Sequence, residues 1–169
     1  MKHYIILGVA VVALAGCAGV TDRLGLGKRG ADAAPPTAEA LARDLARDGL
    51  RVRAQPDAAT AAGFGDVIVT TTPATQPILR AEWLRPGQHV TAMGSDQAGK
   101  NELDPLCLDR ADLYVADRVG QTRLMGELRA ALGAGVIAED AAIPELGDII
   151  SGRHPGRTSP DQITIADLT

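Results

Sequence analysis

The sequence has few aromatic residues and few cysteines. Aromatic side chains make up 2% of the 169 residues, so the core must be built from Leu, Ile, Val and Ala. Two cysteines are too few for a disulfide framework, and the three histidines are scattered along the chain. No pair of Cys or His residues has the spacing of zinc ligands, so we predict no metal site.

Basic residues are also too sparse to form a nucleic-acid surface. The formal net charge is -4, with 17 Lys and Arg against 21 Asp and Glu. This balance argues against general affinity for a phosphate backbone. A hydrophobic content of 46% and a charged content of 22% are ordinary for a globular protein, and 169 residues suffice for one domain with a core.

The first nineteen residues have the pattern of an export signal. A short basic start precedes the apolar run Ile5–Ala13, which is too short to span a bilayer. The tetrad Leu14–Cys17 resembles the lipobox of bacterial lipoproteins, in which the cysteine is lipidated after cleavage. We therefore predict a lipoprotein-type signal over residues 1–19, with a membrane anchor through Cys17. The alternative is a buried strand that ends in glycine.

A glycine-rich segment follows this signal. Residues Gly25–Gly30 match the pattern G-x-G-x-x-G, which binds dinucleotides when a strand precedes it and a helix follows. The preceding run is short and charged, and Pro35 with Pro36 prevents a helix from continuing. The match is therefore interpreted as chance, and residues 20–36 are predicted to form a flexible linker.

The remainder of the chain alternates between strand and helix patterns. Short β-branched runs predict strands at Val67–Thr71, His89–Met93 and Leu113–Ala116. Apolar periodicity predicts helices at Ala38–Asp48 and Gly120–Ala134. Further predicted elements are strands at Leu50–Ala54 and from Ile163 to Leu168, and helices at Pro56–Ala62, Ala81–Leu84 and Pro144–Ile150. This alternation predicts an α/β fold with a mostly parallel sheet and flanking helices.

Loops with polar and small residues follow the predicted strands. Parallel strands place their carboxyl ends on one edge, where ligands bind, so these loops should line a shared crevice. Asp96 lies in the loop after the second strand, next to Gly94 and Ser95. From the residues alone, Asp96 either closes an Asx-turn or acts as a functional carboxylate. Lys100 is either a surface cation, a partner of Glu102, or a ligand contact.

The segment Ala92–Leu103 reads A-x-G-x-D-x-x-G-K-x-E-L. This motif resembles the ornithine cyclodeaminase/mu-crystallin family of NAD-dependent proteins, and the likeness is greatest to the branch named for ectoine breakdown. The resemblance covers residues 37–169, including the ending DQITIADLT. It implies a partial Rossmann-like NAD-binding domain over residues 37–169, lacking the first βα unit with its glycine fingerprint.

The resemblance also implies residue roles. Asp96 matches the family's proton donor and acceptor. The positions matching cofactor contacts are Thr70, Met93, Gly94, Ser95, Lys100 and Thr169.

The activity implied by the resemblance is NAD-dependent oxidative deamination and cyclisation of a diamino acid, with loss of ammonia. Family members are often homodimers, and the parent family is cytoplasmic. We expect a truncated or fused form with weak or no activity, because the pyrophosphate-binding loop and the substrate domain are not recognisable. The alternative is a membrane-anchored lipoprotein whose C-terminal domain is a non-catalytic binding module.

Overall fold

A single four-stranded parallel sheet forms the centre of the structure. The computed structural model describes residues 38–48 and 51–169, so the predicted signal, the predicted linker and Cys17 lie outside the described residues. The strands are β1 Val67–Thr70, β2 His89–Ala92, β3 Leu113–Ala116 and β4 Thr164–Asp167. Their order in the sheet is β1-β2-β4-β3, and every pairing is parallel. The predicted fold class is confirmed.

The register of the sheet aligns the four strand ends. Thr70 pairs with Ala92, and Ala92 and Ala116 both pair with Asp167. Two residues before these ends, a row of buried hydrophobic side chains crosses all four strands. The row consists of Ile68, Val90, Ile165 and Tyr114. Burial of this row holds the strands in one register, because a slip of one residue would turn each side chain to the other face.

Within residues 38–48 and 51–169, six short helices and one 3-10 turn surround the sheet. The helices are α1 Ala38–Arg47, α2 Ala58–Phe64, α3 Leu106–Arg110, α4 Val119–Thr122, α5 Glu127–Gly133 and α6 Leu146–Ile150, and the 3-10 turn is Ala81–Trp83. The core is mainly aliphatic, with Leu79, Leu84, Leu103 and Leu128 almost fully buried. In the ranges that the structure describes, no helix is long and apolar enough to cross a membrane.

The single helix predicted over Gly120–Ala134 is wrong. The segment forms α4 and α5, which are separated at residues 123–126, and Gly126 adopts a φ of +89°. Leu124 is 69% exposed, although its spacing placed it on the buried face. The break has a tertiary cause, because the carboxylate of Asp167 accepts the first backbone N–H of α5. Periodicity along the chain contains no information about that distant residue.

The strand predicted at Leu50–Ala54 is also wrong in the part that the structure describes. Residues 51–54 have no strand assignment, and the Arg51 and Arg53 side chains are exposed. Alternating charged and apolar residues fit an edge strand, but the sheet edge formed by β1 is not extended by these residues.

Candidate functional site at the carboxyl edge of the sheet

The loops that follow β1 and β2 are joined by a buried carboxylate. Glu102 is fully buried, and its side chain accepts a hydrogen bond from Thr70 Oγ1 at 2.7 Å and from the Gly94 backbone N at 2.8 Å. The backbone N of Thr72 donates to the other carboxylate oxygen. Because buried polar groups need hydrogen-bond partners, these contacts let Glu102 hold the two strand ends in a fixed relation.

Gly94 is required by the closeness of this carboxylate. A Cβ atom at position 94 would lie 2.3 Å from Glu102 Oε1 and 2.4 Å from the carbonyl oxygen of Thr72. Both distances are far shorter than a van der Waals contact. The structure therefore supplies an internal reason for glycine at this position.

A second buried carboxylate, that of Glu127, holds the far side of the loop after β2. Glu127 begins α5 and is 1% exposed. It accepts hydrogen bonds from Ser95 Oγ, from Asn101 Nδ2 at 2.5 Å, and from the backbone N of Glu102 at 2.9 Å and of Leu103 at 3.0 Å. Burial raises the pKa of Glu127, and these four donors partly offset that effect.

A third buried carboxylate lies at the end of β4. Asp167 Oδ2 accepts hydrogen bonds from Tyr114 Oη at 2.6 Å, from Glu127 N at 2.8 Å and from Leu128 N at 3.3 Å. Its other oxygen, Oδ1, is buried and has no hydrogen-bond partner among the residues that the structure describes. Burial raises the pKa of Asp167 to about 6, although the Tyr114 hydroxyl acts in the opposite direction. Burial also raises the pKa of Tyr114.

Asp96, unlike these three carboxylates, is open to solvent. Its side chain is 53% exposed and forms an ion pair with Lys100, with 2.6 Å between Oδ1 and Nζ. Within the part of the chain that the structure describes, no backbone amide donates to this carboxylate, so the Asx-turn alternative is wrong. The pairing of Lys100 with Glu102 is also not formed, because Glu102 is buried among other donors.

The remaining predicted cofactor residues lie along the same edge. The backbone N of Met93 donates to the Thr70 carbonyl at 2.9 Å, and the Met93 side chain is 46% exposed. Thr169 is bound to the loop after β3, since its N and Oγ1 donate to the two Asp117 carboxylate oxygens at 3.1 and 3.3 Å. The structure therefore joins Thr70, Gly94 and Ser95 through buried acids, and Thr169 to Asp117.

A cavity of about 570 Å³ opens beside the loop after β1. It is lined by Ala38, Glu39, Gln55, Pro56, Asp57, Ala58, Thr72, Pro73, Ala74 and Ile78. The loop that carries Asp96 is not among its lining segments. Among residues 38–48 and 51–169, no three His, Cys, Asp or Glu side chains form a group that could hold a metal ion.

Glu127 and Asp167 were not identified from the sequence, and Glu102 was considered only as a partner of Lys100. Glu127 occupies a first helical turn, where acidic residues are common on the surface. Asp167 offered a clearer signal, because it lies in the apolar run ITIADL and a charge inside a buried strand needs a partner.

Comparison with known proteins identifies the family to which this sheet and loop arrangement belongs. The model of the ornithine cyclodeaminase/mu-crystallin family matches residues 6–169. The chain belongs to this family. The family model matches from residue 6, whereas the resemblance seen in the sequence starts at residue 37. An uncharacterized cyclodeaminase of Sinorhizobium fredii is 55% identical over 133 residues, which are 78% of this chain and 40% of that protein.

Two solved structures of similar proteins share the fold of this chain. An archaeal alanine dehydrogenase dimer with bound NAD has a TM-score of 0.71 and 37% identity, covering 78% of this chain and 40% of that one. The iminosuccinate reductase of Paracoccus denitrificans in complex with NAD+ has a TM-score of 0.70 and 37% identity, covering 80% and 41%. The Rossmann-like character of the sheet is thereby confirmed. The chain spans about 40% of the length of these proteins.

Proposed function

We propose that this protein binds NAD at the carboxyl edge of its sheet and takes part in oxidative deamination and cyclisation of a diamino acid such as ornithine. Membership of the ornithine cyclodeaminase/mu-crystallin family supports this proposal. The cyclodeaminase name of the Sinorhizobium relative and the NAD bound in the archaeal alanine dehydrogenase support it further. This chain spans about 40% of the length of each of these two proteins, so we propose the complete reaction and do not infer it from the likeness alone.

The residues at the sheet edge fit a nicotinamide dinucleotide. The cavity beside Thr72 has a volume of about 570 Å³, within the range of small-molecule sites, and lies where open α/β sheets bind ligands. Thr72 and Pro73 line this cavity and would flank the bound nucleotide. Lys100, in the neighbouring loop outside the cavity lining, would supply a cation for ribose or phosphate oxygens that extend beyond the cavity. When bound, NAD supplies the hydride acceptor and donor of the reaction.

The observation that carries the proposal is the exposure of Asp96. Glu102, Glu127 and Asp167 are buried and bound to protein donors, so none of them can reach a substrate. Asp96 follows β2 at the ligand edge and remains 53% exposed, with a single cationic partner. A carboxylate in this position can accept a proton from the substrate amine and return it, which is the chemistry of a general acid and base.

The proposal is tested with the purified chain, using NADH to measure cofactor binding and NAD+ with ornithine to measure turnover, because the first step needs a hydride acceptor. Titration of NADH fluorescence should give saturable binding. We expect the turnover of the wild-type chain to be weak, and Asp96→Asn should leave the NADH Kd within about twofold while lowering that turnover by about 100-fold. Asp66→Asn is the matched control, because this carboxylate is 83% exposed, is also paired with one cation, Arg85, and precedes β1 at the other edge. Absence of saturable NADH binding, or equal turnover in Asp96→Asn and wild type, would contradict the proposal.

Three finer assignments remain predictions. They are the ectoine-breakdown branch, homodimer formation, and a membrane anchor through Cys17. The archaeal alanine dehydrogenase dimer supports the second of these. The predicted boundaries between signal, linker and NAD-binding domain, after residues 19 and 36, lie outside the described residues.

A further inference from the structure

One carboxylate holds both ends of the loop that carries Asp96. We define the site loop as residues 95–103. Glu127 Oε1 accepts from Ser95 Oγ, at the start of the loop, and from Glu102 N, near its end. Glu127 Oε2 accepts from Asn101 Nδ2 and from Leu103 N. The two ends of the site loop are thereby fixed by a single side chain of α5.

The middle of the site loop has little packing of its own. Asp96 and the three residues that follow it are exposed, and Gly99 has a φ of +88° with open space around its Cα. Exposed segments with few buried contacts open locally at low free energy. The direction of the Asp96 side chain therefore depends on its ion pair with Lys100 and on the anchors at the two ends of the site loop.

Helix α5 makes a second contact with the same loop. Arg129, two residues after Glu127, donates from Nη2 to the Lys100 carbonyl oxygen at 3.0 Å. Glu127 is itself fixed, because its backbone N donates to Asp167 Oδ2 at 2.8 Å. Helix α5 thus connects the end of β4 to the loop that follows β2.

We propose that Glu127 is a positioning residue of this protein, whose carboxylate sets the geometry of the site loop and so the placement of Asp96 and Lys100. This inference rests on the proposed function for its catalytic meaning. Its structural content, the control of the loop by Glu127, stands without any cofactor. If Glu127 only stabilised the core, its substitution would accelerate amide exchange in the strands as much as in the site loop.

The test is hydrogen exchange in Glu127→Gln without cofactor, followed by NADH titration. The amide group keeps the size of the side chain but replaces one acceptor oxygen by a donor, so two of the four contacts are lost. We expect exchange of the amides of residues 96–100 to rise by about tenfold, with those of β2 and β4 within about twofold of wild type. The NADH Kd should rise by about tenfold.

Two further variants keep the test decisive. Glu139→Gln is the matched control, because this glutamate is 81% exposed and pairs with Arg123 away from the site loop. If Glu127→Gln does not fold, Ser95→Ala removes one of the four donors and should raise exchange in the site loop in the same way, to a smaller extent. In a double variant, the two effects should be less than additive, since they share one contact.

The outcomes separate the two proposals. Faster exchange confined to the site loop, with weaker NADH binding, supports both. If Glu127→Gln accelerates exchange in the site loop but the wild-type chain does not bind NADH, control of the loop by Glu127 is supported and the proposed function is overturned. Unchanged exchange in the site loop of folded variants, or equal acceleration in β2 and β4, overturns the positioning role of Glu127.

Discussion

Asp167 should make the stability of the protein depend on pH in an unusual direction. The carboxylate is fully buried, its Oδ1 has no partner in the described part of the chain, and burial raises its pKa to about 6 from an ordinary value of 3.8. The folded protein therefore binds this proton more tightly than the unfolded chain does. The stabilisation from the protonated group is fully present below pH 3.8, and it is lost as the pH rises through about 6.

The magnitude follows from the difference between the two pKa values. At 1.36 kcal/mol per pKa unit, ionisation of the buried group costs about 3 kcal/mol of unfolding free energy by neutral pH. In Asp167→Asn the side chain cannot titrate, and its oxygen can accept from Tyr114 Oη and Glu127 N as the carboxylate does. The unfolding free energy of wild type, minus that of the variant, should therefore fall by about 2 kcal/mol between pH 4 and pH 7, because part of the change has already occurred at pH 4.

Urea unfolding measures this difference, with fluorescence of the single tryptophan, Trp83, as the signal. Subtracting the unfolding free energy of Asp167→Asn from that of wild type removes the contributions of other titrating groups, apart from those that contact Asp167. Tyr114→Phe provides a second check, because its hydroxyl lowers the Asp167 pKa and its loss should move the transition to higher pH. A difference that stays constant within about 0.5 kcal/mol over this range would refute the reasoning.

Two further predictions concern packing at the same edge and in the core. Gly94→Ala places a methyl group 2.3 Å from a Glu102 oxygen, and we expect it to lower the unfolding free energy by about 3 kcal/mol, measured by urea unfolding; a loss below about 0.5 kcal/mol would contradict the geometry. Cys107 is fully buried and burial raises the pKa of its thiol to about 12, so iodoacetamide should modify it only in urea, as located by mass spectrometry; rapid modification of the folded chain would contradict this burial.

The strands could be predicted closely because their signals are local. β1, β2 and β3 agree with the predicted runs to within one residue at each end, since β-branched residues in them are bounded by turn residues. The meeting of the loops at one edge followed from the parallel order of the strands. The ion pair of Asp96 with Lys100 was not predicted, although both residues were selected as site candidates.

The buried acids could not be predicted in the same way, because their partners are distant in sequence. Glu127 contacts Ser95, 32 residues before it, and Asp167, 40 residues after it. A glutamate in a helix has the same local pattern whether it faces water or a set of backbone amides. The break between α4 and α5 was missed for this reason as well, since it depends on Asp167 and not on the spacing of leucines.

The serial linkage of Glu102, Glu127 and Asp167 has a consequence for how this edge can change in evolution or by design. Glu127 accepts from the backbone N of Glu102, and Asp167 accepts from the backbone N of Glu127. With the Thr70 bond to Glu102 and the Tyr114 bond to Asp167, the stems of the loops form one connected unit from β1 to β3. A new substrate preference would require changes at the solvent-facing loop tips, such as residues 97–99, because changes in the stems would disturb every strand end together.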